Sequence, residues 1–262
     1  MESRFDSLPN RLKQVSVVTE IFGVPSLLIR KDRLSRPFIL WLHGRTADKE
    51  LDSGRYLRYV RRGINVCAVD LPGHGQRFDD SLQEPRNALS VVTKMADEID
   101  SLIDGLSVLW GFDLNRTAIG GMSAGGLAAI IRLLRPHNFK VAVLESTMGS
   151  WSSQREHPMF SGLSNEEFEK RNPTNNIEYW KEIPLLAFHS KHDEWVPYKC
   201  EQEFIDSLRA RYDDKNLVEL VAFDRTGAPY EHVGFGRQSS LVKEIQVEFV
   251  AQHLQVKQEQ EK

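Results

Sequence analysis

The stretch AIGGMSAGG, residues 118–126, sets one serine among four glycines, directly after a short apolar run and at the start of the helix-forming AGGLAAIIRLL. Within it, Gly121, Met122, Ser123, Ala124 and Gly125 read G-x-S-x-G between a predicted strand and a predicted helix. A chain that passes from strand to helix in so few residues must turn sharply. Small flanking residues are needed because the two elements approach closely there. Such a turn holds Ser123 in a strained conformation and lifts its hydroxyl above the sheet at a helix start, where free N–H groups and the helix dipole favour developing negative charge. The other reading of a glycine-rich turn, a phosphate cradle, fits less well. No glycine set here matches G-x-G-x-x-G, and the turn lacks the Walker lysine. Ser123 is therefore the candidate nucleophile.

Outward from that turn, short β-rich runs alternate with longer helical ones. VSVVTEIFG and VPSLLIRK (15–31) predict an antiparallel hairpin; PFILWLH (37–43), INVCAVD (64–70), RTAIGGMS (116–123), VAVLEST (141–147), PLLAFHS (184–190) and LVELVAFD (217–224) predict further strands. These later runs are mostly continuous rather than alternating, as strands covered on both faces are. Helical patterns fall at about 51–62, 86–110, 124–135, 199–211 and 239–254. The alternation predicts right-handed crossovers and an α/β fold: a mostly parallel central sheet with helices on both faces and the antiparallel hairpin at its N-terminal end. One domain spanning 1–262 is expected. Residues 148–182 break the rhythm with more chain than a crossover needs, and they carry Met148, Trp151, Phe160, Phe168, Tyr179 and Trp180. They read either as a small cap or lid insertion or as a surface helix whose aromatics pack on the body.

Composition narrows the function. With 40% hydrophobic residues, 27% charged residues and a net charge of -3, the chain offers no electrostatic footprint for nucleic acid or an anionic membrane. The two cysteines, Cys67 and Cys200, lie far apart and suit a reduced compartment. The N-terminus has early charges and no apolar segment of signal-peptide length, and no stretch approaches about 20 apolar residues, so a soluble, cytoplasmic protein is expected.

A serine hydroxyl needs a base, and the base needs an orienting acid. Of the eight histidines, only His232 and His253 lie beyond the last predicted strand, and His253 falls in the C-terminal helix. His232, in the loop TGAPYEHVGFG, is the candidate base. Parallel sheets place their sites at the carboxyl ends of strands, and HSKHDEWVP (189–197) offers Asp193 there. Glu145 is the competing acid. His189, His192 and Asp193 could also be read as metal ligands, but nothing else supplies the spacing of a zinc motif, so no metal and no cofactor are expected. The oxyanion formed on attack needs preorganised donors. The N–H of Ala124 is one, and WLHGRTADK supplies a second from Arg45 or Thr46. His43 and His74 read as structural residues that shape their loops.

With those residues in place the chain resembles the α/β-hydrolase superfamily over almost its full length. It is most similar to small serine carboxylesterases of the dienelactone hydrolase and prolyl oligopeptidase-like group. The resemblance is carried by LHGR at the oxyanion position, DLPGHGQR before the long helix, GGMSAGG at the nucleophile, HSKHDEWVP at the acid and EHVGF at the histidine. It implies Ser123, Asp193 and His232 as a catalytic triad, with Arg45 and Ala124 as oxyanion donors. Two departures limit the transfer. Dienelactone hydrolase uses cysteine where this chain has Ser123, and no β-propeller is expected ahead of the domain to act as an oligopeptidase size filter. Arg45 is also a large cation where many relatives carry a small or apolar residue; its side chain is expected to reach solvent, with a substrate carboxylate as the other reading.

The reading is a serine hydrolase acting through an acyl-enzyme intermediate, with a small-molecule, short-acyl ester as substrate. Met122, Met148, Trp151 and Trp195 are candidate pocket residues from their positions beside the motifs. Neither nucleic acid nor membrane is an expected partner, and the sequence is compatible with a homo-oligomer. The rival readings are a peptidase or amidase, an acyltransferase, or a low-turnover ligand-binding protein on the same fold.

Overall fold

The computed structural model describes residues 4–110 and 112–257, so the ends of the expected 1–262 domain lie outside the described residues. Eight strands, β1 Ser16–Ile21, β2 Val24–Ile29, β3 Phe38–Leu42, β4 Asn65–Val69, β5 Thr117–Met122, β6 Val141–Glu145, β7 Leu185–Ser190 and β8 Val218–Phe223, form one sheet in the order β1-β2-β4-β3-β5-β6-β7-β8. β1 and β2 make the expected hairpin, turning through Phe22 and Gly23, both at positive φ as tight hairpin turns require. β2 also pairs antiparallel with β4, and every later pairing is parallel. The α/β fold with an N-terminal antiparallel hairpin is therefore the one the sequence predicts.

The described residues also form seven α-helices: α1 Asn10–Lys13, α2 Ser53–Arg61, α3 Ala88–Trp110, α4 Ala124–Leu133, α5 Asn165–Arg171, α6 Tyr198–Arg211 and α7 Ser239–His253. The central strands alternate their side chains between two apolar layers. Phe38, Leu40 and Leu42 of β3, with Ile119 of β5 and Leu144 of β6, pack toward α3, α4 and α6. Ile39 and Trp41 of β3, with Ala118 of β5 and Val143 of β6, pack toward α1, α2 and α7. Burial on both faces is why these strands read as continuous apolar runs.

The sheet reverses its build direction at β3. Its neighbours are β4 on one side and β5 on the other, so α2 and α3 cross on opposite faces and the loops after β3 and β5 diverge. Such a divergence opens a crevice at the carboxyl ends of the strands. Among the described residues no helix is long and apolar enough to cross a membrane.

Residues 148–182 hold short 3-10 turns at Pro158–Phe160 and Pro173–Tyr179 around the seven-residue α5. α5 begins with a capping box between Ser164 and Glu167. Trp151, Phe160, Phe168 and Trp180 are buried, while Tyr179 is exposed. The ring of Trp151 lies 4.6 Å from that of Phe160 and 5.9 Å from that of Phe168. Trp180 donates Nε1–H to the Tyr212 hydroxyl at 2.7 Å. Tyr179 apart, the aromatics of this segment are thus turned inward.

Candidate active site

β5 ends at Met122 and α4 begins at Ala124, leaving Ser123 alone in the turn with φ 52° and ψ -115°. A non-glycine residue in that region stores about 1–3 kcal/mol of strain and persists only where neighbours fix it. Here the Ser123 N–H donates to the Glu145 carbonyl at 2.8 Å, and Thr147 donates its hydroxyl to the Ser123 carbonyl at 2.8 Å. The flanking glycines are a matter of space. A Cβ on Gly125 would stand 2.2 Å from the Leu42 carbonyl oxygen, and one on Gly121 would stand 2.4 Å from the Gly125 carbonyl carbon. The helix can start against the ends of β3 and β5 only because both positions lack a side chain.

Three side chains from three loops meet at this turn. His232 Nε2 lies 3.0 Å from Ser123 Oγ, and His232 Nδ1 lies 2.7 Å from Asp193 Oδ2. Asp193 is fixed in turn: its Oδ1 accepts the N–H groups of Trp195 at 2.9 Å and Val196 at 2.8 Å. Burial pushes the Asp193 carboxyl up, but hydrogen bonds from His189 and His232 outweigh it and hold the group below the usual carboxylate range. An ionised acid on Nδ1 leaves Nε2 free to take a proton from the serine. Asp193 and His232 are buried, and Ser123 is partly exposed.

The histidine loop has an anchor that sequence reasoning missed. Tyr230 and Glu231 both sit at positive φ, 55° and 50°. The Glu231 carboxylate accepts from the Thr226 N–H at 2.7 Å, the Thr226 hydroxyl at 2.9 Å, the Gly227 N–H at 2.9 Å and the Ser190 hydroxyl at 2.8 Å. The first of these does most to pull the Glu231 carboxyl down to about 2. The end of β7 is thereby tied to the residue before His232. Nothing in EHVGF announces this, because the partners come from three separate positions.

On the opposite wall, Gly44 comes so close that a Cβ there would lie 3.5 Å from Ser123 Cβ. Arg45 follows it, and among the described residues the backbone N–H groups of Arg45 and Ala124 have no intramolecular partner. His43 holds this loop. Its Nδ1–H donates to the Gly44 carbonyl at 2.7 Å, its Nε2 accepts the Leu71 N–H at 3.1 Å, and burial lowers its pKa to about 4. The Arg45 side chain departs from expectation. It does not run into solvent but turns inward, where Nη2 donates to the Gln83 carbonyl and Nε is buried.

The candidate pocket residues divide. Trp195 is 47% exposed, stacks on Tyr230 at 4.9 Å and lies 4.9 Å from the His232 ring. Met122 is partly buried beside Ser123. Trp151, only 1% exposed, sits inside the aromatic cluster with Phe160 and Phe168 rather than on an open wall, and Met148 is likewise packed into the core; bulky apolar side chains from a segment laid on the body are drawn into its interior. Glu145 faces away from this constellation. Its carboxylate makes a bidentate pair with Arg55 at 2.8 and 2.9 Å and accepts from Gln246 at 2.7 Å. His189 donates to the Val196 carbonyl at 2.9 Å, while His192 is exposed beside Asp224. Among the described residues no group of three or more His, Cys, Asp or Glu is disposed to hold a metal ion.

Comparisons with known proteins agree with this architecture. "Putative esterase YitV" of Bacillus subtilis (strain 168) is 23% identical over 74% of this chain and 84% of its own length. Esterase YjfP of Escherichia coli (strain K12) is 26% identical over 70% of this chain and 78% of its own. The crystal structure of TT1662 from Thermus thermophilus superposes with a TM-score of 0.73 at 19% identity, covering 92% of this chain and 98% of that one. The model of the prolyl oligopeptidase family matches residues 53–257, which include the serine turn, the Asp193 loop and the His232 loop. The chain belongs to the prolyl oligopeptidase family of serine hydrolases.

Proposed function

We propose that the protein is a carboxylesterase that cleaves short-acyl esters through Ser123, His232 and Asp193. The observation that carries the reading is the unbroken chain of contacts from Asp193 Oδ2 through His232 to Ser123 Oγ, 2.7 and 3.0 Å long. His232 takes the proton as Ser123 attacks the ester carbonyl, and Asp193 holds the imidazole in the tautomer this requires. The amides of Ala124 and Arg45 receive the oxyanion, since both are unpaired and flank the serine. The acyl group is then on Ser123 Oγ, the alcohol leaves with the proton from His232, and water repeats the sequence to release the acid. We take 1–262 as one domain in which residues 148–182 form a fixed wall of the site, because their aromatics are buried against the body.

Intact mass after incubation with a fluorophosphonate, on wild type and Ser123→Ala in parallel, tests the nucleophile. A single adduct on wild type alone is expected, with hydrolysis of p-nitrophenyl acetate through octanoate fastest on the short chains. No adduct on the folded protein would overturn the reading. Faster turnover of aminoacyl anilides than of any ester would move it to a peptidase.

A further inference from the structure

Arg45 stands out among the charged groups near the serine because, among the described residues, no carboxylate pairs with it. Its guanidinium turns into the crevice between the loop after β3 and the segment 78–87, where Nη2 donates to the Gln83 carbonyl. Its Nε is buried with no hydrogen-bond partner, and among the described residues no carboxylate pairs with it. Four carboxylates of the surrounding segments are paired elsewhere, and Asp79 of the 78–87 segment accepts from Ser81. Asp48 pairs with Arg4 at 3.1 Å, Asp70 with Lys49 at 2.9 Å, Glu84 with Arg86 at 2.7 Å and Glu98 with Arg77 at 2.7 Å. Two imidazoles adjoin the cation, His74 from the loop after β4 and His157 from the 148–182 segment. Burial, aided by the Arg45 charge, pushes both toward the neutral form. His74 Nε2 is also buried without a partner.

A guanidinium stays charged at any physiological pH, and drawing it out of water without a counterion is unfavourable. Elsewhere around the site the protein supplies that counterion; at Arg45 it supplies a carbonyl and leaves the buried Nε without a partner. Residue 45 also follows directly on Gly44, which abuts Ser123.

We propose that the site is selective for esters carrying a second, free carboxylate, of the kind found in half-esters of short dicarboxylic acids, with Arg45 binding that carboxylate. This substrate class rests on the serine hydrolase reading above. A planar guanidinium fork recognises a carboxylate by charge-assisted hydrogen bonds, and the two imidazoles beside it carry no negative charge to compete.

The test compares the monomethyl and dimethyl esters of succinate, glutarate and adipate, followed by acid release in a pH-stat. The diester is the neutral counterpart on the same carbon skeleton. In wild type at low ionic strength, kcat/KM for at least one half-ester should exceed that of its diester by about tenfold, the scale of one hydrogen bond to a charged group. The ratio should fall toward one in Arg45→Gln and stay intermediate in Arg45→Lys, which keeps the charge without the fork. Because each ratio is taken within one protein, a change in general activity cancels. A ratio of one or less in wild type for all three lengths, with the diesters still hydrolysed, would overturn the proposal and leave the hydrolase reading standing. If neither ester is hydrolysed, the hydrolase reading falls and binding decides the present one. Monomethyl glutarate should raise the melting temperature of Ser123→Ala but not of Ser123→Ala/Arg45→Gln, and an equal rise in both would overturn it.

Discussion

Ser123, Asp193 and His232 are each held by something other than one another, so their mutual distances do not rest on the three side chains alone. Two backbone N–H groups aim the Asp193 carboxylate at His232 Nδ1. Replacing that carboxylate by an amide keeps the shape but offers the wrong partner to the imidazole, so Asp193→Asn should lower kcat by about 10⁴ with little change in melting temperature. Glu231 acts one residue away from the base. Its folded pKa, about 2, lies below the ordinary 4.5, so its charge contributes stability that is complete above about pH 4.5 and lost as the pH falls toward 2. Glu231→Gln should therefore melt below wild type at pH 7, and the gap should close across that window in melts run from pH 7 to pH 2.5. A gap that is independent of pH would show that the anchor does not depend on the charge. Ser123, Asp193 and His232 were legible as candidates because each stands in a short contiguous motif. Glu231 was not, because its four donors come from Ser190, Thr226 and Gly227, and only the folded chain brings them to one carboxylate.

The elements beneath the site are joined by a buried ionic cluster. Arg55 of α2 lies over the Trp41 ring of β3 at 3.9 Å and forks onto Glu145 at the end of β6, while Gln246 of α7 donates to the same carboxylate. The Glu145 backbone carbonyl receives the Ser123 N–H. Two helices, two strands and the Ser123 turn are thus fixed around Glu145. Removing one member of a buried pair leaves its partner uncompensated, so Glu145→Gln should lose about 3 kcal/mol in urea unfolding. That separates the two carboxylates considered for the acid: Asp193→Asn loses turnover, whereas Glu145→Gln loses stability. A Glu145→Gln protein as stable as wild type yet inactive would assign the orienting role to Glu145. The strands themselves were legible to within about two residues, since apolar runs buried on both faces have no other soluble explanation. The direction of the Glu145 side chain was not, because a residue at a strand's end can turn into the core or toward the crevice, and the choice here depends on Arg55 from 90 residues away.

At the scale of the molecule, the crevice exists because the sheet changes build direction at β3, and its outer wall depends on how residues 148–182 are attached. Sequence alone left that segment between a lid and a packed cover, since aromatics serve a hinged lid as well as a fixed one. The arrangement of the rings argues for the fixed form. Phe160 meets Phe168 edge-on at 5.0 Å and Trp151 at 4.6 Å, and Trp180 meets Phe204 of α6 edge-on at 5.5 Å. Phe160 is fully buried and belongs to the same apolar layer as β3, α3 and α4. A segment whose side chains are part of the main core cannot open without exposing that core, so it should melt with the rest of the protein. Phe160→Ala removes a large buried ring and should cost about 3–5 kcal/mol, lowering the single melting transition by roughly 10 °C. Limited proteolysis distinguishes the alternatives. A wall continuous with the core resists cleavage between 148 and 182 until the whole protein unfolds, in the variant as in wild type. Were the segment an independent lid, Phe160→Ala would admit protease there well below the main transition and leave that transition where it was; the size of accepted esters would then follow lid opening.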